Sequence, residues 1–248
     1  MKIEIVVYNI ESAINAQTGG ADRIELCDNP AEGGTSPSLG TIEVVRKHLS
    51  IQIFVMIRPR GGDFFYSDHE FEAMKSDIEA CKKLGVDGVV FGILNKDGTI
   101  DKARCKELIN LAKPMGVTCH RAFDMTNDPQ QALNDCIEIG FDRILTAGQQ
   151  AKAIDGVDLI AELIKRAKDK IMIMPGSGVN KETVEEIILK SKAKEIHFSA
   201  TAFRESEMIY RNQKIAGMGD DQGAEFQLRK VDVERIKKIR KMIEKLKA

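Results

Sequence analysis

The chain has 248 residues, enough for one α/β barrel, and its 37 basic and 38 acidic side chains nearly cancel. No global field points to nucleic acid or an anionic membrane as a partner, so any anion recognition has to be local. No run approaches the ~18 unbroken apolar residues of a membrane span, and residues 1–7 read as a strand and not as a leader, so a soluble intracellular protein is expected.

Short apolar runs at 3–7, 23–27, 52–57, 88–91, 117–120, 143–145, 171–174 and 195–198 alternate with helix-length segments. Strands so spaced imply βαβ units, and eight such units most simply close into a (β/α)₈ TIM barrel, a single domain over residues 1–248. A doubly wound open sheet is the alternative, although no Gly-x-Gly-x-x-Gly follows the first strand to support it.

Local signals mark the helices. Ser67-Asp-His-Glu70 has the form of a capping box, Asp128 precedes Pro129, and Asp101 and Asn180 are placed to cap two more helices. Gly85, Gly116 and Gly140 each follow a helical pattern and are expected to terminate it. Residues 200–230 form a long loop after the eighth strand, with some helix near 206–210 and a glycine-rich turn at 217–223, either a mobile loop or a lid. The last helix, 231–247, carries Ile236, Ile239, Ile243 and Leu246 on one face.

Side chains alternate along a strand, and helices must cover the apolar face. Ile24, Leu26, Ile53, Val55, Ile57, Ile196 and Phe198 therefore point outward. Glu4, Arg23, Glu25, Cys27, Gln52, Phe54, Met56, Arg58, Glu195, His197 and Ser199 then point inward. Buried charges are costly unless paired, so Glu4, Arg23 and Glu25 should form a connected network. The same rule turns Cys119 toward the helix layer, away from His120.

Chemistry gathers at the carboxyl ends of the strands. The third strand empties into Arg58-Pro-Arg60-Gly-Gly-Asp63, where glycines let the main chain come close and arginines can hold an anion; structural ion pairing is the alternative. The fifth ends in His120-Arg121-Ala-Phe-Asp124, which offers an imidazole and a carboxylate for proton transfer and a guanidinium for an anion. The seventh ends in Gly176-Ser177-Gly178, a phosphate-binding position in many barrels. The five cysteines are odd in number and contain no Cys-x-x-Cys pair, so neither a disulfide framework nor a zinc finger is indicated. Copper(I) prefers thiolate and thioether donors, which makes Cys27 and nearby Met56 its possible ligands, with an inert buried thiol as the alternative.

Together, Arg23-Ile-Glu-Leu-Cys27, Gly33-Gly-Thr-Ser-Pro37, Met56-Ile-Arg-Pro-Arg-Gly-Gly-Asp-Phe64, Tyr66-Ser67, His120-Arg-Ala-Phe-Asp124, Arg143-Ile-Leu-Thr146 and Ile173-Met-Pro-Gly176 resemble the CutC family over nearly the whole chain. The resemblance implies a cytoplasmic (β/α)₈ barrel, often a homo-oligomer, associated with copper homeostasis and copper(I) binding. Two functions are thus expected. One is copper handling through Cys27. The other is an enzyme acting on a small phosphorylated or carboxylated metabolite, with Arg58, Arg60, Arg121, Gly176, Ser177 and Gly178 binding the anion and His120, Asp124 and Glu25 moving protons.

Overall fold

The computed structural model describes residues 1–212, 214 and 224–246. Strands β1 (Lys2–Val7), β2 (Arg23–Leu26), β3 (Gln52–Met56), β4 (Gly88–Phe91), β5 (Gly116–Cys119), β6 (Arg143–Thr146), β7 (Met172–Pro175) and β8 (Glu195–Phe198) stand where their apolar runs place them. Between them lie helices α1 (Ile10–Thr18), α2 (Leu39–His48), α3 (Asp68–Lys83), α4 (Lys102–Ala112), α5 (Pro129–Ile139), α6 (Val157–Ala167) and α7 (Val184–Ser191), and α8 (Val233–Lys245) ends the series. The eight strands pair in parallel, β1 with both β2 and β8, and the pairing runs on in chain order to β7. β7 lies beside β8 without a shared ladder, so the (β/α)₈ barrel is nearly closed. The strand order has no reversal, which rules out the doubly wound alternative.

Strand parity holds. Ile3, Ile5, Val7, Ile24, Leu26, Ile53, Val55, Ile57, Ile196 and Phe198 pack outward into the helix layer. A separate apolar group of Val6, Cys27, Phe54, Met56 and Val90 fills the inside, with Tyr8 at its edge. Phe54 needs room from its neighbours: a Cβ on Gly88 would come within 2.5 Å of its ring, and one on Gly116 within 2.9 Å. Gly116 thus opens β5 to make space and does not terminate a helix.

The other local signals are realised with one shift. Ser67 and Glu70 form the capping box of α3, Asp101 caps α4, and Asp128 accepts from the amides of Gln130 and Gln131 ahead of α5. Gly140 ends α5 with φ of 98°. Asn180 instead caps a turn that precedes α7, accepting from the amides of Glu182 and Thr183.

The helix expected near 206–210 does not form, and the described part of 200–230 holds no helix beyond a 3-10 turn at Ala224–Phe226. Strands β9 (Thr201–Glu205) and β10 (Gln227–Val231) form an antiparallel pair, and 206–210 takes no regular form. The pair rests on α1: Asn9 and Asn15 donate to the carbonyls of Arg229 and Val231, and Arg204 pairs with Glu11. The glycine-rich turn at 217–223 lies outside the described residues.

Across the base of the barrel, Arg23 pairs with Glu4 and with Glu195 at 2.6 Å, and Arg143 grips Glu195 through Nε at 2.6 Å and Nη2 at 3.3 Å. His197 joins Glu4 at 2.8 Å and approaches Glu25 at 3.8 Å, which connects the predicted network. Both guanidinium groups also lie over the Phe54 ring, at 4.9 Å and 5.3 Å. Removing one partner of such a buried set strands the rest. Glu195→Gln should therefore cost on the order of 3 kcal/mol in urea unfolding. Asp63→Asn, at an exposed pair with Arg60, should cost less than about 1 kcal/mol. Equal, small losses would show that the network does not hold the barrel together.

Candidate functional site

Arg58 leaves β3 already committed. Its Nη1 donates to the carbonyls of Glu32 and Gly34 at 2.6 Å and 2.9 Å, and Nη2 donates to that of Gly62 at 2.7 Å. It thereby ties the chain after β2 to the chain after β3, and a Cβ on Gly61 would collide with Glu32 across that junction. Only Nε is left without a partner. Arg60 is spent on Glu70 at 2.6 Å, Asp63 at 3.0 Å and the carbonyls of Gly61, Asp63 and Phe65. Structural pairing, the alternative reading of these arginines, describes Arg60 in full, so the geometry removes it from the anion-binding set.

At the end of β5, His120 precedes a short 3-10 turn, Arg121–Met125, and its Nδ1 accepts from the Ala122 amide at 3.2 Å. The single proton of a neutral ring then sits on Nε2, which is buried and has no partner. Burial, reinforced by the Arg58 cation, pushes the imidazole pKa down to about 3. Asp124 is a clasp: it accepts from Thr146 Oγ1, from the amides of Ala147 and Gln149, and from Arg121 Nε at 2.6 Å. So many donors take Asp124 out of the role of general base, while Arg121 also donates to the Gln150 carbonyl at 2.9 Å and remains partly exposed.

The seventh-strand loop turns largely to its neighbours. The Gly176 amide donates to the Thr146 carbonyl, and Ser177 Oγ donates to that of Ala151 at 2.7 Å. Ser177 adopts φ of 74°, a left-handed conformation that the Oγ bond helps to hold. A Cβ on Gly178 would press on Lys152 at 2.9 Å. A cleft of about 480 Å³ beyond this loop lies between the turn before α7 and the start of α8, lined by Val179, Phe198 and Ile239 and by charges of both signs, Lys181, Arg235 and Lys238 with Glu182, Asp232 and Glu234.

The inner layer of the mouth brings Glu25, Cys27, Met56, His197 and Tyr8 together. Burial pushes Glu25 up to about 7 despite His197, and its Oε1 has no partner. Its Oε2 accepts from the Cys27 thiol at 3.7 Å. Burial and the adjacent Glu25 hold that thiol protonated, well above its ordinary value. Although burial alone would raise it, Arg23 and His197 hold Glu4 down to about 2. His197 is raised because Glu25 and Glu4 outweigh burial. A Cβ on Gly34, which has φ of 102°, would lie 3.2 Å from Cys27 Sγ and 3.8 Å from Met56 Cε, so both sulfur side chains converge there. Among the described residues no group of three or more His, Cys, Asp or Glu side chains is arranged to hold a metal ion. Cys119 lies in the helix layer with Cys105 and Cys136, as parity requires.

Sequence reasoning placed His197 inside but left it out of the candidate set, and it missed Tyr8. Continuing the β1 alternation from Glu4 through Val6 reaches Tyr8. Its other partner, Arg229 of β10 at 5.7 Å from the ring, comes from a segment read as loop.

His120 supplies a measurable pH dependence. The unfolded chain takes up a proton near the ordinary histidine value of 6.5, while the folded chain resists it until about 3, so stability falls as pH drops through that window. By pH 4 the loss should be on the order of 3 kcal/mol relative to His120→Asn, whose amide oxygen can still cap Ala122. A pH-independent difference in urea stability between the two proteins would show that folding leaves the His120 pKa at its ordinary value.

The CutC family model matches residues 1–202. The chain is 47% identical over 235 residues to the copper homeostasis protein cutC homolog of Homo sapiens, covering 95% of this chain and 86% of that one. It is 49% identical over 236 residues to a family protein CutC of Parabacteroides distasonis, covering 95% and 97%. The crystal structure of a copper homeostasis protein CutC from Streptococcus agalactiae superposes with a TM-score of 0.77 at 32% identity, over 80% of this chain and 98% of that one. The matched span contains all of β1 to β8 and every mouth residue described above except Arg229, and on that ground the chain belongs to the CutC family.

Proposed function

We propose that this chain serves copper homeostasis by binding copper(I) through Cys27, with the Met56 thioether as second donor. The observation that carries the reading is the convergence of the two sulfur side chains over Gly34, inside the barrel and shielded from water. Copper(I) is soft and accepts low coordination numbers, so a thiolate and a thioether suit it where harder ions would require oxygen or imidazole donors. The ion has to displace the Cys27 proton, so affinity rises with pH. The names of the human and streptococcal relatives support the same reading.

A second reading, an enzyme acting on a small carboxylated or phosphorylated metabolite, draws on Glu25. A carboxyl group with pKa near 7 and an unpartnered oxygen is suited to taking or giving a proton. His120, Arg58 and Arg121 remain its nearest candidates for contact with the substrate.

Anaerobic titration of reduced protein with copper(I) against a competing chelator tests the first reading. One tight equivalent is expected; Cys27→Ser abolishes it, Met56→Leu weakens it roughly ten-fold, about 1.4 kcal/mol, and Cys119→Ser leaves it unchanged. Undiminished affinity in Cys27→Ser would refute the site.

A further inference from the structure

Three buried polar atoms have no hydrogen-bond partner: Arg58 Nε, Tyr66 Oη and His120 Nε2. Their side chains are only 6%, 1% and 3% exposed. The Arg58 guanidinium carbon lies 5.0 Å from the centroid of the Phe64 ring, and the His120 ring centroid lies 4.8 Å from it. The Tyr66 hydroxyl faces the Arg58 guanidinium outside hydrogen-bond geometry, yet close enough that the charge and the polar contact offset part of the burial that pushes the phenol up to about 12.

All three atoms are donors. Arginine Nε always carries a proton, and the tyrosine is a neutral hydroxyl. His120 Nδ1 is occupied by the Ala122 amide, so its proton is on Nε2. Leaving a buried donor unmade costs roughly 1–3 kcal/mol, and folded proteins rarely tolerate three together. Arg58 adds a further demand. Its remaining donors go to neutral carbonyls, and it has no carboxylate within 4.0 Å among the described residues, so a buried charge lacks its counter-ion. Water would accept the hydrogen bonds but would leave that charge uncompensated.

We propose that Arg58, Tyr66 and His120 form a binding site for a carboxylate oxygen of a small organic acid. One cation and three single donors match a monoanion, whereas a phosphate dianion asks for more charge and more donors. The site adjoins the sulfur pair, since the Arg58 charge is felt at the Cys27 thiol. It deepens the second reading above, gives its substrate class as carboxylate, and does not depend on copper.

The test uses copper-free, reduced full-length protein with ¹⁵N-labelled histidine at pH 7. Sodium formate, acetate and inorganic phosphate are titrated at constant ionic strength. The His120 signals are assigned with His120→Asn among the four histidines. The free protein should show the Nε2–H tautomer, and formate should shift that nitrogen saturably, more tightly than phosphate. Tyr66→Phe, which removes only an unpartnered hydroxyl and should unfold no more readily than wild type, should weaken formate about five-fold. Cys27→Ser should bind formate normally. The absence of saturation with any anion, meaning donors held by water only, would overturn the site. So would unchanged formate affinity in Tyr66→Phe, or phosphate bound in preference to both carboxylates. Binding is the readout, so formate capture without any turnover upholds the site even where the enzyme reading fails.

Discussion

Arg23 stands between two carboxylates inside the barrel, and much of the molecule follows from satisfying it. Glu4 on β1 and Glu195 on β8 flank it, Arg143 shares Glu195, and His197 shares Glu4. These charges are buried, so only mutual pairing makes them tolerable. A one-residue slip in any contributing strand would turn an ion into the apolar helix layer, which gives the network a strong hold on register. Phe54 closes the set between two guanidinium faces, and Gly88 and Gly116 are small because its ring occupies their space.

The same network sets the electrostatics of the mouth above it. Glu4 is anchored as an anion by Arg23, which favours a proton on His197, and His197 in turn moderates the burial of Glu25. Glu25 lies one inward position above Arg23 on β2, and Cys27 one above that. A gradient thus runs along a single strand from a paired cation, to a carboxyl group near neutrality, to a protonated thiol. The copper(I) reading uses the top of that gradient. The carboxylate reading uses the cation on the next strand.

The mouth arginines divide by what surrounds them. Arg60 meets carboxylates and is consumed; Arg121 meets Asp124 and helps to clasp the chain after β5 to that after β6. Among the described residues the hydrogen bonds that Arg58 donates go to backbone carbonyls and it meets no carboxylate, so it organises two loops while keeping its charge uncompensated. This difference, one counter-ion more or fewer, separates a structural arginine from one with unfinished chemistry. The β9–β10 pair contributes Arg229 at the rim beside Tyr8, so the segment beyond β8 helps to shape the mouth as well.

The barrel, its eight strands, the inward direction of Glu4, Arg23, Glu25, Cys27 and His197, and the outward direction of Cys119 could all be read from the chain itself. Period-two alternation fixes a side chain's direction once one face has to be apolar, and that requirement is local. What each arginine touches was decided by tertiary structure. The partners of Arg58 are carbonyls of Glu32, Gly34 and Gly62, which carry no signature in sequence, and apart from nearby Arg121 the partners of Asp124 are amides and a hydroxyl twenty or more residues away. Backbone groups are identical at every position, so only the path of the chain determines which of them meet a given guanidinium or carboxylate, and which donors are left without an acceptor.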